Sequence, residues 1–315
     1  MNSQDHISDN TVFNSIGKTP IFQLRQLSQE LGATIYGKAD FLNPGGSIKD
    51  RIALAMIEAA ERDGRLTPGA TITEATAGNT GLGLAWIAAA RGYRFVAVMT
   101  EVDRGPKTDL MEALGTEVVL VPYGVAWDTP DGPLGIAERI AQERGGVFLN
   151  QFFNPANPEA HERTTGAEIR EAFRDRPLDA IVVGIGTGGT ATGIGRALKG
   201  AAVKSNNGKA PRLIGVVGDG SYLTPGETRI AGITPDFPPA TYDESFLERV
   251  EGVSEAEGAQ ATLRLARTEG LAVGHSSGAG LVVAEREVRR NPGSHILILL
   301  CDTLRNYPNI EEMAG

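Results

Sequence analysis

Stretches that read as strand and stretches that read as helix alternate along almost the whole chain, and glycine-rich turns join them. Strand candidates are Thr34 to Ala39, Ala70 to Glu74, Arg94 to Met99, Glu117 to Val121, Ala180 to Gly184, Arg212 to Val217 and His295 to Leu300. Helix candidates are Ser47 to Asp63, Thr80 to Arg91, Pro106 to Leu114, Pro133 to Arg144, Gly193 to Lys199, Ser254 to Glu269 and Gly278 to Arg290. In the first of these, Ile48, Ile52, Leu54, Ala55 and Ile57 supply the apolar positions. Such a rhythm builds parallel sheets with helices on both faces. The expected class is therefore α/β, with ligands bound beyond the carboxyl ends of the strands, where the glycine-rich turns fall. Asn150 to Pro158, punctuated by Asn154, Pro155, Asn157 and Pro158, reads as a linker between two α/β halves. Ser205 to Pro211 reads as a surface loop, and Thr234 to Ala240 as an extended connection.

Composition narrows the classes. The chain has 315 residues, 41% hydrophobic and 22% charged, as an ordinary globular protein does. Its formal charge of -9, from 39 acids and 30 bases, repels nucleic acid and anionic lipid, and neither is expected as a partner. A single cysteine, Cys301, cannot form an intrachain disulfide, which suits a reducing cytoplasm. The histidines, His6, His161, His275 and His295, are scattered, and no Cys/His cluster has metal spacing. Met1 to Asn10 is polar and lacks an apolar signal core, and runs such as Ile296 to Cys301 are too short for a bilayer. A soluble cytoplasmic protein without a metal is expected.

Three turns carry residues with chemistry. In Asn43-Pro44-Gly45-Gly46-Ser47-Ile48-Lys49-Asp50-Arg51 a lysine sits in the first turn of a helix. Burial and the positive end of the helix dipole both lower a lysine pKa, and the neutral amine attacks an aldehyde. A solvated lysine at a helix start has the same local sequence. In Glu74-Ala75-Thr76-Ala77-Gly78-Asn79-Thr80-Gly81 a strand ends and a helix begins, presenting N–H groups and hydroxyls to a carboxylate. The same residues serve equally as a capped helix start, with Asn79 or Thr80 as N-cap. Gly184-Ile185-Gly186-Thr187-Gly188-Gly189-Thr190-Ala191-Thr192-Gly193 follows an apolar strand and opens a helix, a nest for a dianionic phosphate. A dinucleotide site is the rival: Gly184, Gly186 and Gly189 have its spacing. Against it, the loop is rich in hydroxyls, lies mid-chain, and no acidic residue ends the next strand candidate. Two further turns are Gly274-His275-Ser276-Ser277-Gly278, before a helix, and Cys301-Asp302-Thr303, after the last strand.

Taken in order, these motifs resemble the fold-type-II pyridoxal-phosphate enzymes, the family of cysteine synthases and cystathionine beta-synthases. The resemblance runs from about Ile16 to Tyr307. Ile16-Gly17-Lys18-Thr19-Pro20 is similar to the family's opening, and Gln151-Phe152, Asn154 to His161 and Arg163 to Gly166 to a later run. The resemblance implies a tryptophan synthase beta-like fold: two three-layer α/β domains with mostly parallel twisted sheets. Residues 1–40 and 152–315 would form the larger domain, with the phosphate loop. Residues 41–151 would form the smaller one, with the lysine helix and the substrate loop.

It also implies the cofactor, pyridoxal phosphate, held by Lys49 as a Schiff base. Gly186, Thr187, Gly188, Gly189 and Thr190 would hold its phosphate, Asn79 its 3-hydroxyl, and Thr303 its pyridine nitrogen. A neutral hydroxyl at Thr303 leaves that nitrogen unprotonated, which favours β-elimination over transamination. Thr76, Ala77, Gly78, Asn79, Thr80 and Gln151 would grip the α-carboxylate of a small amino-acid substrate. Lys49 would remove the α-proton, an aminoacrylate would form, and a sulfur nucleophile would add. The leading expectation is cysteine from O-acetylserine and sulfide. Cystathionine formation from serine and homocysteine, and desulfhydrase-type β-elimination, are the alternatives within the family, and a non-catalytic binding protein on the same fold is the alternative outside it. A homodimer is the family expectation.

Four features depart from the family pattern. Ala77 stands where a serine is usual, and a lost hydrogen bond to a charged group costs roughly 1.5–3 kcal/mol. Val216-Val217-Gly218-Asp219-Gly220-Ser221 lacks the usual acid and proline, with Asp219 a stand-in at a shifted register. His275 replaces a small or aliphatic residue, so His275 and Ser276 are read as modulators, the histidine either titrating or simply packed. Thr303-Leu304-Arg305-Asn306-Tyr307, with Lys107 and Asp109, resembles the cystathionine beta-synthase ending, although neither a haem-binding extension nor regulatory domains are expected.

Overall fold

The structure, a computed structural model, describes residues 11–314 except 202 and 308. The polar start Met1 to Asn10 lies outside the described residues. The strands are β1 (Ile21–Gln23), β2 (Thr34–Lys38), β3 (Thr71–Ala75), β4 (Arg94–Thr100), β5 (Glu117–Val121), β6 (Val147–Phe148), β7 (Ala180–Gly184), β8 (Arg212–Gly218), β9 (Arg249–Val253) and β10 (His295–Leu299). The helices are α1 (Arg25–Leu31), α2 (Lys49–Arg62), α3 (Asn79–Arg91), α4 (Pro106–Ala113), α5 (Pro133–Glu143), α6 (Ala156–His161), α7 (Ala167–Ala172), α8 (Gly189–Leu198), α9 (Glu255–Glu269), α10 (His275–Arg290) and α11 (Ile310–Ala314).

Two sheets result. The larger has the order β1-β2-β10-β7-β8-β9, antiparallel only between β1 and β2. The smaller, β5-β4-β3-β6, is wholly parallel. Successive side chains of a strand point to opposite faces. In β7, Ala180 and Val182 therefore enter a core with α1, α9 and α10, while Ile181 and Val183 enter another with α7 and α8. In β10, Ile296 and Ile298 share the first core, and Leu297 and Leu299 the second. The smaller sheet is covered likewise, by α2, α3 and α6 on one face and α5 on the other. Burial on both faces explains why these strands read as continuous apolar runs. The architecture is the α/β class expected. No helix among the described residues is long and apolar enough to cross a membrane, and no group of His, Cys, Asp or Glu there is placed to hold a metal ion.

Three segments differ from expectation. Helix α8 begins at Gly189, not Gly193, and α10 at His275, not Gly278. Glycine and serine are weak helix formers, so their first turns are invisible to propensity; tertiary packing overrides it. Asn150 to Pro158 is not a free linker. It enters α6, with Pro158 in the first turn, where a missing N–H is tolerated, and Asn157 is fully buried. A π-turn, Glu162–Gly166, then joins α6 to α7.

A buried ionic cluster fixes the start of α2. Arg51 Nη2 and Nε donate to the two oxygens of Asp40, at 2.8 and 3.1 Å, just beyond β2. Its Nη1 and Nη2 donate to Glu168 of α7 at 2.8 and 2.9 Å. Lys38 Nζ reaches Glu168 Oε2 at 2.5 Å and Thr19 O at 2.9 Å. Burial acts to raise the Glu168 pKa, yet Arg51 and Lys38 hold it down at about 2. Removing one member leaves buried charges unpaired. Arg51→Leu is expected to destabilise the protein by about 3–5 kcal/mol, read as a fall in the urea midpoint.

Candidate active site

Lys49 is the first residue of α2, and the segment before it is bound to the end of β10. Ile48 N–H donates to Cys301 O at 2.8 Å, and Ser47 pairs with Asp302 in an antiparallel bridge. Lys49 is half-buried, and burial pushes its pKa below the usual lysine range against the opposing effects of Cys301 and Asp302. The amine therefore gives up its proton more readily than a solvated lysine does.

The loop after β3 is ordered from within. Thr76 Oγ1 accepts from the N–H groups of Gly78, at 3.0 Å, and Gly81, at 3.1 Å. Neither Asn79 nor Thr80 acts as N-cap; that position belongs to Gly78. This frees both side chains. Thr80 Oγ1 donates to Gln151 Oε1 at 2.6 Å, and Asn79 Nδ2 donates to Asp302 Oδ2 at 2.7 Å. Gln151 Nε2 donates to Ala75 O at 2.9 Å, which seats the amide against the loop. Ala77 adds no hydroxyl.

The glycine loop after β7 opens α8. Gly188 has φ +78, and a side chain there would overlap Tyr242; one at Gly189 would overlap Asn157 Oδ1. The first N–H groups of α8 have no intrahelical acceptor. Asn157 Nδ2 donates to Thr187 Oγ1 at 3.0 Å and to Gln151 O at 2.8 Å. Thr187 Oγ1 keeps its own proton for a ligand. His161 shares hydrogen bonds with Thr190 Oγ1 at 3.1 Å and Thr165 Oγ1 at 2.9 Å. Burial, with Arg51 and Lys49 nearby, lowers the His161 pKa, so the ring is neutral.

A path of contacts thus joins the expected sites: Ser47, two residues before Lys49, pairs with Asp302, and from there the path runs through Asn79, Thr80, Gln151, Asn157 and Thr187. Thr303 follows Asp302, and its hydroxyl accepts from Arg305 N–H at 3.3 Å, leaving its proton available. His275, 2% exposed, packs against Tyr307 with ring centroids 4.6 Å apart and the planes tilted by 33°, and burial together with Lys107 lowers its pKa to about 4. Ser276 lies against Cys301, whose thiol burial pushes up to about 12. Asp219 is occupied elsewhere, accepting from the Thr228 N–H at 2.9 Å and from its hydroxyl at 2.5 Å. Asn157 and His161 were not singled out as site residues, although their four-residue spacing on one helix face was a readable signal. Glu74 was also missed; its burial beneath the loop has no local signature.

These elements define an α/β protein with a lysine amine, a loop ordered by Thr76 and a glycine-rich loop at the carboxyl ends of its strands. The family described as pyridoxal-phosphate dependent enzyme matches residues 12–302, and the chain belongs to it. A cysteine synthase of Staphylococcus aureus is 39% identical over 278 residues, spanning 87% of this chain and 87% of that protein. A cystathionine beta-synthase of Apis mellifera is 39% identical over 308 residues, 94% of this chain but 60% of that longer protein. The crystal structure of an O-ureido-L-serine synthase matches with a TM-score of 0.88 and 36% identity, covering 96% of this chain and 94% of that one. The protein is a fold-type-II pyridoxal-phosphate-dependent enzyme of the cysteine synthase and cystathionine beta-synthase family. The residues present fit that cofactor: the backbone N–H groups that open α8 lie beside the Thr187 and Thr190 hydroxyls, a donor set suited to a phosphate, and Lys49 is an amine of lowered pKa.

Glu74 ends beneath this site. Its Oε1 accepts from Ala75 N–H at 3.1 Å and Gln151 N–H at 3.3 Å, Oε2 has no partner, and burial raises the carboxyl pKa from 4.5 to about 8. The native state therefore holds a proton that the unfolded chain releases. The stability this contributes is full below pH 4.5 and is lost as pH rises through about 8. Urea midpoints measured across that window should fall more steeply for the wild type than for Glu74→Gln.

Proposed function

We propose that the protein makes cysteine from O-acetylserine and sulfide, releasing acetate. The observation that carries this reading is the path from the Lys49 segment through Asp302 and Asn79 to Gln151, which joins an amine of lowered pKa to a carboxylate-binding loop. When bound, pyridoxal phosphate supplies an electron sink conjugated to the substrate's α-carbon. Gly186 to Thr190 take the phosphate through backbone N–H groups and the Thr187 and Thr190 hydroxyls. Thr303 donates its hydroxyl proton toward the ring nitrogen. Thr76 to Thr80 and Gln151 hold the substrate's α-carboxylate. Lys49 Nζ takes the α-proton as acetate departs from the β-carbon. Hydrosulfide then forms the new C–S bond at that carbon, and Lys49 Nζ returns a proton to the α-carbon. His275 and Ser276 border the site, with His275 neutral at physiological pH. The division into residues 1–40 with 152–315 and residues 41–151 belongs to the same proposal, and the membership of the two sheets supports it.

The purified protein with pyridoxal phosphate is expected to show a visible absorption band and to release cysteine from O-acetylserine and sulfide. Lys49→Ala should lose the band and lower the rate by about 1000-fold or more. A protein that carries the band but yields no cysteine overturns the assignment.

A second reading, condensation of serine with homocysteine, is favoured by the placement of Asn306 and Tyr307 against Asn79 and Asp302. Cystathionine formation faster than cysteine formation selects it. Pyruvate release without any acceptor selects net elimination instead.

A further inference from the structure

Asp302 is 1% exposed, and its two oxygens are treated unequally. Oδ2 accepts from Asn79 Nδ2 at 2.7 Å and from the Tyr307 hydroxyl at 2.7 Å. Oδ1 is buried and has no partner. A buried carboxyl oxygen without a partner is costly. The surroundings are built around it. A side chain at Gly274 would overlap both Asp302 Oδ1 and the Tyr307 ring, so that position is bare. Lys107 Nζ lies 4.8 Å from the centroid of the same ring and brings a positive charge to the cluster. Burial raises the Asp302 pKa, while Tyr307, Asn79 and Lys107 act to keep it ionised.

Asn79 is the beneficiary. Asn306 Nδ2 donates to its Oδ1 at 3.3 Å. Asp302 Oδ2 accepts from both Asn79 and Tyr307, so Asn79 presents its nitrogen, and not its oxygen, to Asp302. One N–H of that nitrogen is used on Asp302, and one remains. We propose that Asp302 is a positioning residue: it locks the Asn79 amide so that the remaining N–H meets the phenolic oxygen of the pyridoxal ring. The idea rests on the reading of this site as the cofactor pocket. It assigns a role to a residue that touches Asn79 and not the reacting atoms.

The test uses the full-length protein loaded with pyridoxal phosphate. Asp302→Asn keeps the shape but offers an N–H or an oxygen equally well, so Asn79 can turn over. The absorption maximum of the bound cofactor should shift, and affinity for pyridoxal phosphate should fall about tenfold. Tyr307→Phe, which removes only the donor to Asp302, should shift the maximum in the same direction by less. In an Asn79→Ala background, Asp302→Asn should change neither quantity further. Full additivity of the two substitutions, or an unshifted maximum in both single variants, overturns the proposal while leaving the cofactor site intact. A wild type that takes up no pyridoxal phosphate overturns the site reading and this proposal with it.

Discussion

The guanidinium of Arg51, shared between Asp40 and Glu168, is the interaction on which the site depends. Arg51 lies two residues beyond Lys49, in the same first turn of α2. Its partners stand at the end of β2 and in α7, and Lys38 and Thr19 close the cluster. Each charge is tolerable inside the protein only because the others are present. The turn that carries Lys49 is thereby set by two distant segments at once. Burial lowers the pKa of the amine, and Cys301 and Asp302 oppose that shift without cancelling it.

Much of the fold was legible because hydrophobic pattern is local. Ala180 to Gly184 and Glu117 to Val121 coincide with β7 and β5 at both ends. The pattern failed where packing outweighed propensity. Gly189 opens a helix although two of its first five residues are glycine, and Pro158 lies in a helix that punctuation alone read as a linker. The site was legible as a set of motifs, and the Lys49, Thr76–Thr80 and Gly186–Thr190 segments come together through real contacts. What stayed hidden was the wiring between them. Asn79 meets Asp302 across 223 residues, and Thr80 meets Gln151 across 71. No periodicity carries such pairings, because a polar contact between distant segments leaves no repeating trace in either one.

The electrostatics of the pocket run largely toward neutrality. The Glu74 pKa is raised to about 8 and the Cys301 pKa to about 12, while that of His275 falls to about 4 and that of Lys49 is lowered. Burial is the leading cause in every case, so the same loss of water acts on acids and bases alike. A pocket with few fixed charges of its own leaves its strongest fields to whatever anions enter it. In that setting a buried acceptor such as Asp302 Oδ2, with two donors on it, orients its neighbours strongly.

The glycine loop at Gly188 and Gly189 leaves no freedom for substitution. Backbone and side chains crowd those positions so closely that no substituent larger than hydrogen fits. A side chain at either position would have to displace Tyr242 or Asn157. The loop is thus defined by what packs behind it, before any ligand enters.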